Sequence, residues 1–115
     1  MISRMKHDSE FYLQRYRVDM EKLKNIHPGE VLKIEFLDAL GISAYRLAKA
    51  TFIPQTRISQ IVAGKRRVSV DTALRFSKFF GNSAHFWIQL QSDYDLELES
   101  DLQRETLDKI QPLIQ

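Results

Sequence analysis

Gln55, Thr56 and Gln60 lie close together in the chain, with Arg57 and Ser59 between them. The set offers hydrogen bonds and one cation, with no acid. Glutamine can bond adenine through two hydrogen bonds, threonine can touch a thymine methyl, and arginine can reach guanine or a phosphate. Ile58 and Ile61 are interleaved at helical steps, so the polar and apolar sets fall on opposite sides of one helix. Such a helix is anchored by one side and reads a DNA groove with the other. The bland reading of Gln55, Thr56 and Gln60 is a solvated helix face.

The flanks supply chemistry suited to phosphate. Ser43 stands where a helix begins, so its hydroxyl and the helix dipole can meet an anion. Arg46, Lys49, Lys65, Arg66 and Arg67 add cations, and Ser59 is placed with them as a backbone contact. The charge distribution supports this. Residues 1–42 carry seven Lys/Arg against seven Asp/Glu. Residues 43–80 carry eight basic residues against one acid, Asp71, for a net +7. Residues 81–115 carry Arg104 and Lys109 against seven acids, for a net −5. A basic middle predicts a surface facing a polyanion. An acidic end predicts a face turned away from DNA, or one offered to a basic partner.

Other chemistries find no support. The chain has no cysteine, which removes disulfides and thiolate metal sites. His7, His27 and His85 are far apart in different elements, so no metal site is expected. No nucleophile elbow, glycine-rich phosphate loop or paired-carboxylate motif is present, and the chain reads as a non-enzyme without cofactor. The short apolar runs predict no membrane span, and no secretory apolar region stands near the start. A bacterial cytoplasmic setting fits, with association to the nucleoid when DNA is bound.

These side chains need a scaffold, and the periodicity predicts an all-α one. His27-Pro28-Gly29-Glu30 opens a helix to about Leu40, with Leu32, Phe36, Leu37 and Leu40 on its core face and Gly41 ending it. Ser43 caps a short helix to about Thr51. Phe52-Ile53-Pro54 is the break, and Pro54 begins a third helix through Ala63, stopped by Gly64. Ser69 or Asp71 starts a fourth to Phe80, with Ala73, Leu74, Phe76 and Phe80 as core residues. Ser83 caps a fifth, on which Phe86, Trp87, Leu90 and Tyr94 share a face. A last helix covers Asp101–Ile110, with Leu102, Leu107 and Ile110 apolar. Two short helices joined by a tight turn, Ser43–Arg67, form a helix-turn-helix on this scaffold.

The pattern divides the chain into an extension at 1–25, a DNA-binding domain at 26–98 and a helical tail at 99–115. Leu13, Tyr16, Met20 and Leu23 fall at helical steps, so the extension is either flexible or a weak amphipathic helix. The compact pattern begins after Met20, which makes Met20 a candidate start. Phe86, Trp87, Leu90 and Tyr94 read as core, with part of the set at a dimer seam. Phe79 reads as partly exposed, either against a dimer mate or as an ordinary surface aromatic.

Several segments together resemble one family. They are His27-Pro28-Gly29-Glu30 with Glu35-Phe36-Leu37, Tyr45-Arg46-Leu47-Ala48-Lys49-Ala50, Arg57-Ile58-Ser59-Gln60-Ile61 with Gly64-Lys65-Arg66, Asp71-Thr72-Ala73-Leu74-Arg75, and Phe86-Trp87-Ile88-Gln89-Leu90-Gln91 with Tyr94-Asp95-Leu96. The chain resembles the HigA antitoxins, also labelled virulence-associated protein I (VapI), within the lambda-repressor-like helix-turn-helix group. The resemblance implies a bundle of about five to six short helices. It implies a homodimer that represses its own operon at a palindromic operator in double-stranded DNA. It also implies binding of a RelE-like RNA-cleaving toxin, HigB. A stand-alone repressor without a toxin shares every DNA-facing residue. By position, the resemblance assigns base contacts to Gln55, Thr56 and Gln60. It assigns phosphate contacts to Ser43, Arg57 and the turn Gly64–Arg67. One departure stands out: the family usually has glycine in the turn where this chain has Phe52. A positive φ there costs a Phe roughly 1 kcal/mol unless burial of the ring offsets it.

Overall fold

The computed structural model describes residues 25–114, and among these every regular element is helical. The reading of Leu13, Tyr16, Met20 and Leu23 lies outside the described residues.

His27 is in extended conformation, and its ring Nδ1 accepts the Gly29 N–H at 2.9 Å. A histidine thus does the capping usually done by Ser or Asp. Pro28, already fixed in φ, takes the first helical position of α1, Pro28–Val31. The chain then continues without a break into a wider π-helical stretch, Leu32–Asp38. Gly41 closes it with a φ of 65°.

Four further α-helices and a short terminal one follow. They are α2 (Ala44–Thr51), α3 (Gln55–Val62), α4 (Val70–Phe80), α5 (Ala84–Leu102) and α6 (Arg104–Asp108). The starts of α2, α4 and α5 share one mechanism. Ser43, Ser69 and Ser83 are extended, and each hydroxyl accepts the backbone N–H three residues on. Gly81, at φ 79°, closes α4 through its N–H to the Ser77 carbonyl at 2.9 Å.

The core gathers on Trp87. Its ring packs against Phe36 at 4.9 Å, Phe76 at 5.1 Å and Phe86 at 5.1 Å, edge-on or tilted. The indole N–H donates to Asn82 Oδ1 at 3.1 Å, so the buried ring leaves no donor unpaired. Leu32, Leu47, Ile58, Ile61 and Val68 complete the core under α2 and α3. Phe86, Trp87 and Leu90 are therefore core residues. Tyr94 and Phe79 are half-buried; Tyr94 packs edge-on against His27 at 4.9 Å, and Phe79 against Phe80 at 5.1 Å.

Four expectations need correction. Leu40 is 45% exposed, not core. The π-helical stretch winds more slowly than an α-helix, so a register counted at 3.6 residues per turn runs out of phase by its end. Leu74 is 53% exposed, and Thr72 takes the inward place beside Ala73, Phe76 and Phe80. Thr72 is tolerated there because its Oγ1 accepts from Ser69 Oγ at 3.1 Å. Pro54 precedes α3 rather than opening it: its ψ of 139° is extended, and its carbonyl accepts the Arg57 and Ile58 N–H groups. The helix expected at Asp101–Ile110 is divided. Its start belongs to α5, α6 ends at Asp108 and buries no residue, and Leu102 on α5, Leu107 on α6 and Ile110 beyond it are all exposed. Of the two alternatives left open at Phe52, the structure shows the exposed ring, at 85%.

Candidate nucleic-acid interface

The centre of the site is α2, its turn and α3. Ser43 Oγ accepts the Arg46 N–H at 3.0 Å and starts α2. Thr51 Oγ1 donates to the Leu47 carbonyl at 2.7 Å in the last turn. Phe52 then turns left-handed, with φ 59° and ψ 37°. The Ile53 N–H returns to the Ala48 carbonyl at 3.1 Å, and the Ile53 side chain is buried beneath. This is the closure that normally uses glycine. The strain foreseen at Phe52 is present, and burial of its ring does not offset it.

α3 divides cleanly. Ile58 and Ile61 are fully buried, while Gln55, Thr56, Ser59 and Gln60 are exposed and Arg57 is half-buried. Beyond α3, Gly64 takes a φ of 74°, and the Lys65 N–H closes onto the Gln60 carbonyl at 2.9 Å. The loop Lys65-Arg66-Arg67 is exposed. Arg66 Nη1 donates to Gln60 Oε1 at 2.9 Å, so the loop and the polar face of α3 meet. On α2, Lys49 Nζ lies 5.6 Å from the centroid of the Tyr45 ring, and Arg46 is exposed.

Three ties hold this surface to the bundle, and sequence reasoning missed all three. Val68 N–H donates to the buried Gln91 Oε1 at 2.7 Å. Gln91 Nε2 donates to Asp95 Oδ1 at 2.9 Å, and Asp95 Oδ2 pairs with Arg67 at 3.0 Å. The basic loop is thereby clasped by α5. Secondly, Arg57 Nη1 pairs with Asp71 Oδ2 at 3.2 Å, and Arg75 Nε with Asp71 Oδ1 at 3.1 Å. Arg75 Nη1 also donates to the Thr51 and Phe52 carbonyls at 3.0 and 3.1 Å. Thirdly, Gly29 presses its Cα side against the end of α3; a Cβ there would stand 1.7 Å from the Ile61 carbonyl oxygen. One signal was available beforehand: Asp71 and Arg75 are four apart on a helix, the spacing of an ion pair.

The Helix-turn-helix family profile matches residues 32–87. Virulence-associated protein I of Dichelobacter nodosus is 41% identical over 88 residues, 76% of this chain and 81% of that protein. Antitoxin HigA-1 of Vibrio cholerae is 31% identical over 75 residues, 65% of this chain and 70% of its own length. A solved structure of Pseudomonas aeruginosa antitoxin HigA with the higBA promoter is 37% identical, with a TM-score of 0.76, covering 79% of this chain and all of that one.

The chain belongs to the HigA/VapI family of helix-turn-helix proteins.

The family segments now have structural meaning. His27 caps α1 and meets Tyr94 edge-on, so the His-Pro-Gly-Glu opening and the Tyr-Asp-Leu segment touch directly. Burial holds the His27 imidazole below its ordinary pKa, against the opposing pull of Asp95 and Glu30. A neutral ring suits its role, because Nδ1 must accept. The Arg75 hydrogen bond, with Arg57 adding to it, holds the exposed Asp71 carboxyl below the usual range. No helix among the described residues is long and apolar enough to cross a membrane.

Proposed function

We propose that this HigA-type chain recognises an operator in double-stranded DNA. On this reading α3 lies in the major groove. Gln55, Thr56 and Gln60 contact base edges, while Ser43, Arg46, Lys49, Arg57, Ser59, Gly64, Lys65, Arg66 and Arg67 contact the backbone. The observation that carries it is the division of α3: an exposed Gln/Thr/Gln row stands directly over the fully buried Ile58 and Ile61, with the basic loop tied to Gln60. The solved HigA structure with its own promoter supports the same use of the fold.

The further elements follow the family. The chain acts as a homodimer, with its two α3 helices about 34 Å apart to meet successive turns of a palindromic operator. Phe86, Trp87 and Leu90 are occupied in the core, which leaves Phe79 and Tyr94 of the aromatic set for a seam. It neutralises a RelE-like HigB toxin and represses its own operon. A gel shift with duplex DNA from upstream of its own reading frame tests the DNA reading: a shift abolished by scrambling the sequence is expected, and equal retention of both duplexes contradicts it. A toxin-like reading frame beside the gene, whose product co-purifies with this chain, separates the antitoxin from a stand-alone repressor.

A further inference from the structure

The segment Asp71-Thr72-Ala73-Leu74-Arg75 has no part in the assignments above, yet two of its side chains reach the helix-turn-helix. We infer that Arg75, steered by Asp71, is the positioning residue that holds the left-handed turn at Phe52 and so sets the angle at which α3 is presented. The inference rests on the proposed DNA reading for its consequence, but not for its geometry.

The turn has an unusual burden. A non-glycine residue occupies the left-handed region, and its ring is 85% exposed, so packing contributes little to keeping it there. Something else must over-determine the conformation. A helix C-terminus leaves carbonyls without intrahelical partners. One nitrogen of Arg75 serves two of these, Thr51 O at 3.0 Å and Phe52 O at 3.1 Å. A cation at this end also suits the dipole of α2. The remaining side of the guanidinium is fixed by Asp71 at 3.1 Å, one turn earlier on α4. The second oxygen of Asp71 takes Arg57 at 3.2 Å, in the first turn of α3. One ion triad therefore joins α4 to both sides of the turn: the end of α2 and the beginning of α3. Only a planar fork with several donors can do this, so lysine is not an equivalent. Gln55 and Thr56 lie immediately before Arg57 and move with it.

The test uses the full chain and four variants: Arg75→Met, Arg75→Lys, Phe52→Gly, and Phe52→Gly with Arg75→Met. Amide hydrogen exchange is read at Phe52, Ile53, Arg57 and Ile58, with Phe76 and Trp87 as core controls. Arg75→Met is expected to speed exchange at the turn and the start of α3 about tenfold, as lost charge-assisted bonds imply, with the core controls unchanged. Arg75→Lys is expected to behave like Arg75→Met. Adding Phe52→Gly is expected to restore most of the protection, because glycine enters the left-handed conformation without the strain that Arg75 otherwise has to offset. In parallel, affinity for the upstream duplex should fall about tenfold in Arg75→Met, since the ordered turn must be recovered on binding, and affinity for a scrambled duplex should stay within about twofold, since that binding is electrostatic. Unchanged exchange at Phe52 and Ile53 overturns the inference. So does a rise shared equally by the core controls, or a defect that Phe52→Gly leaves intact. If the unaltered chain does not distinguish the two duplexes, the DNA reading fails, and the exchange series still decides the role of Arg75.

Discussion

Replacing Gly29 by alanine adds one methyl group at a place with no room for it. The new Cβ would stand 1.7 Å from the Ile61 carbonyl oxygen and 2.6 Å from its carbon. Both atoms are backbone, so no side chain can swing aside. The His27 Nδ1 that caps α1 lies 3.1 Å away on another side, which closes the easy escape. Relief requires α1 and the end of α3 to separate by more than an ångström, opening contacts that bury Val31, Ile58 and Ile61. Overpacking of a well-filled site costs about 1–3 kcal/mol, and a backbone obstacle puts this case at the upper end. At about 4–8 °C per kcal/mol for a domain of this size, melting should fall by about 12–24 °C. Thermal unfolding followed by circular dichroism measures it. The end of α3 also carries Gln60 and the basic loop, so operator affinity should weaken well below the new melting point. A change of melting temperature under about 2 °C would refute the argument that glycine is required for close approach.

The remaining predictions concern DNA and pH. Gln55→Ala and Gln60→Ala should each cost about 1–3 kcal/mol of operator binding and relax sequence choice, measured by anisotropy against single-base operator variants. Arg66→Ala should weaken binding to all duplexes and reduce the salt slope by about one; a slope equal to that of the unaltered chain argues against a phosphate contact. His27 has a lowered pKa in the folded state, so the unfolded chain binds more protons once pH drops below about 6.5. Its contribution to stability is therefore full above that pH and declines as pH falls through it toward the lower folded value. Melting curves between pH 8 and 5 should show this decline, and His27→Asn, which retains a side-chain acceptor for the cap, should flatten it.

What the sequence revealed, and what it hid, follows the range of the interactions. Ser43 and Ser83 were readable as caps, and Ser69 as one of two candidate starts beside Asp71, because each acts on a backbone group three residues away. Ile58 and Ile61 were readable as anchors because α3 keeps a regular period. Leu40 was misplaced because a π-helical stretch changed that period, which composition does not announce. Leu74 was misplaced because hydrophobicity outweighed Thr72, whose hydroxyl is satisfied by Ser69. The ties that hold the site were the least legible. Arg75 reaches carbonyls 23 and 24 residues earlier, and Gln91 reaches an N–H 23 residues earlier. No local pattern encodes such contacts; they arise only once Trp87 and its neighbours have packed α4 and α5 against the helix-turn-helix. Phe52 shows both sides: its strain followed from its place in the turn, but its exposure did not.

The most direct test of the central claim is the affinity of the full chain for its own upstream duplex and for a scrambled duplex, across a range of salt. A specific operator complex predicts a preference of about a thousandfold or more, with both affinities falling steeply as salt rises. Equal affinities at every salt concentration, or no measurable binding at low salt, would contradict it.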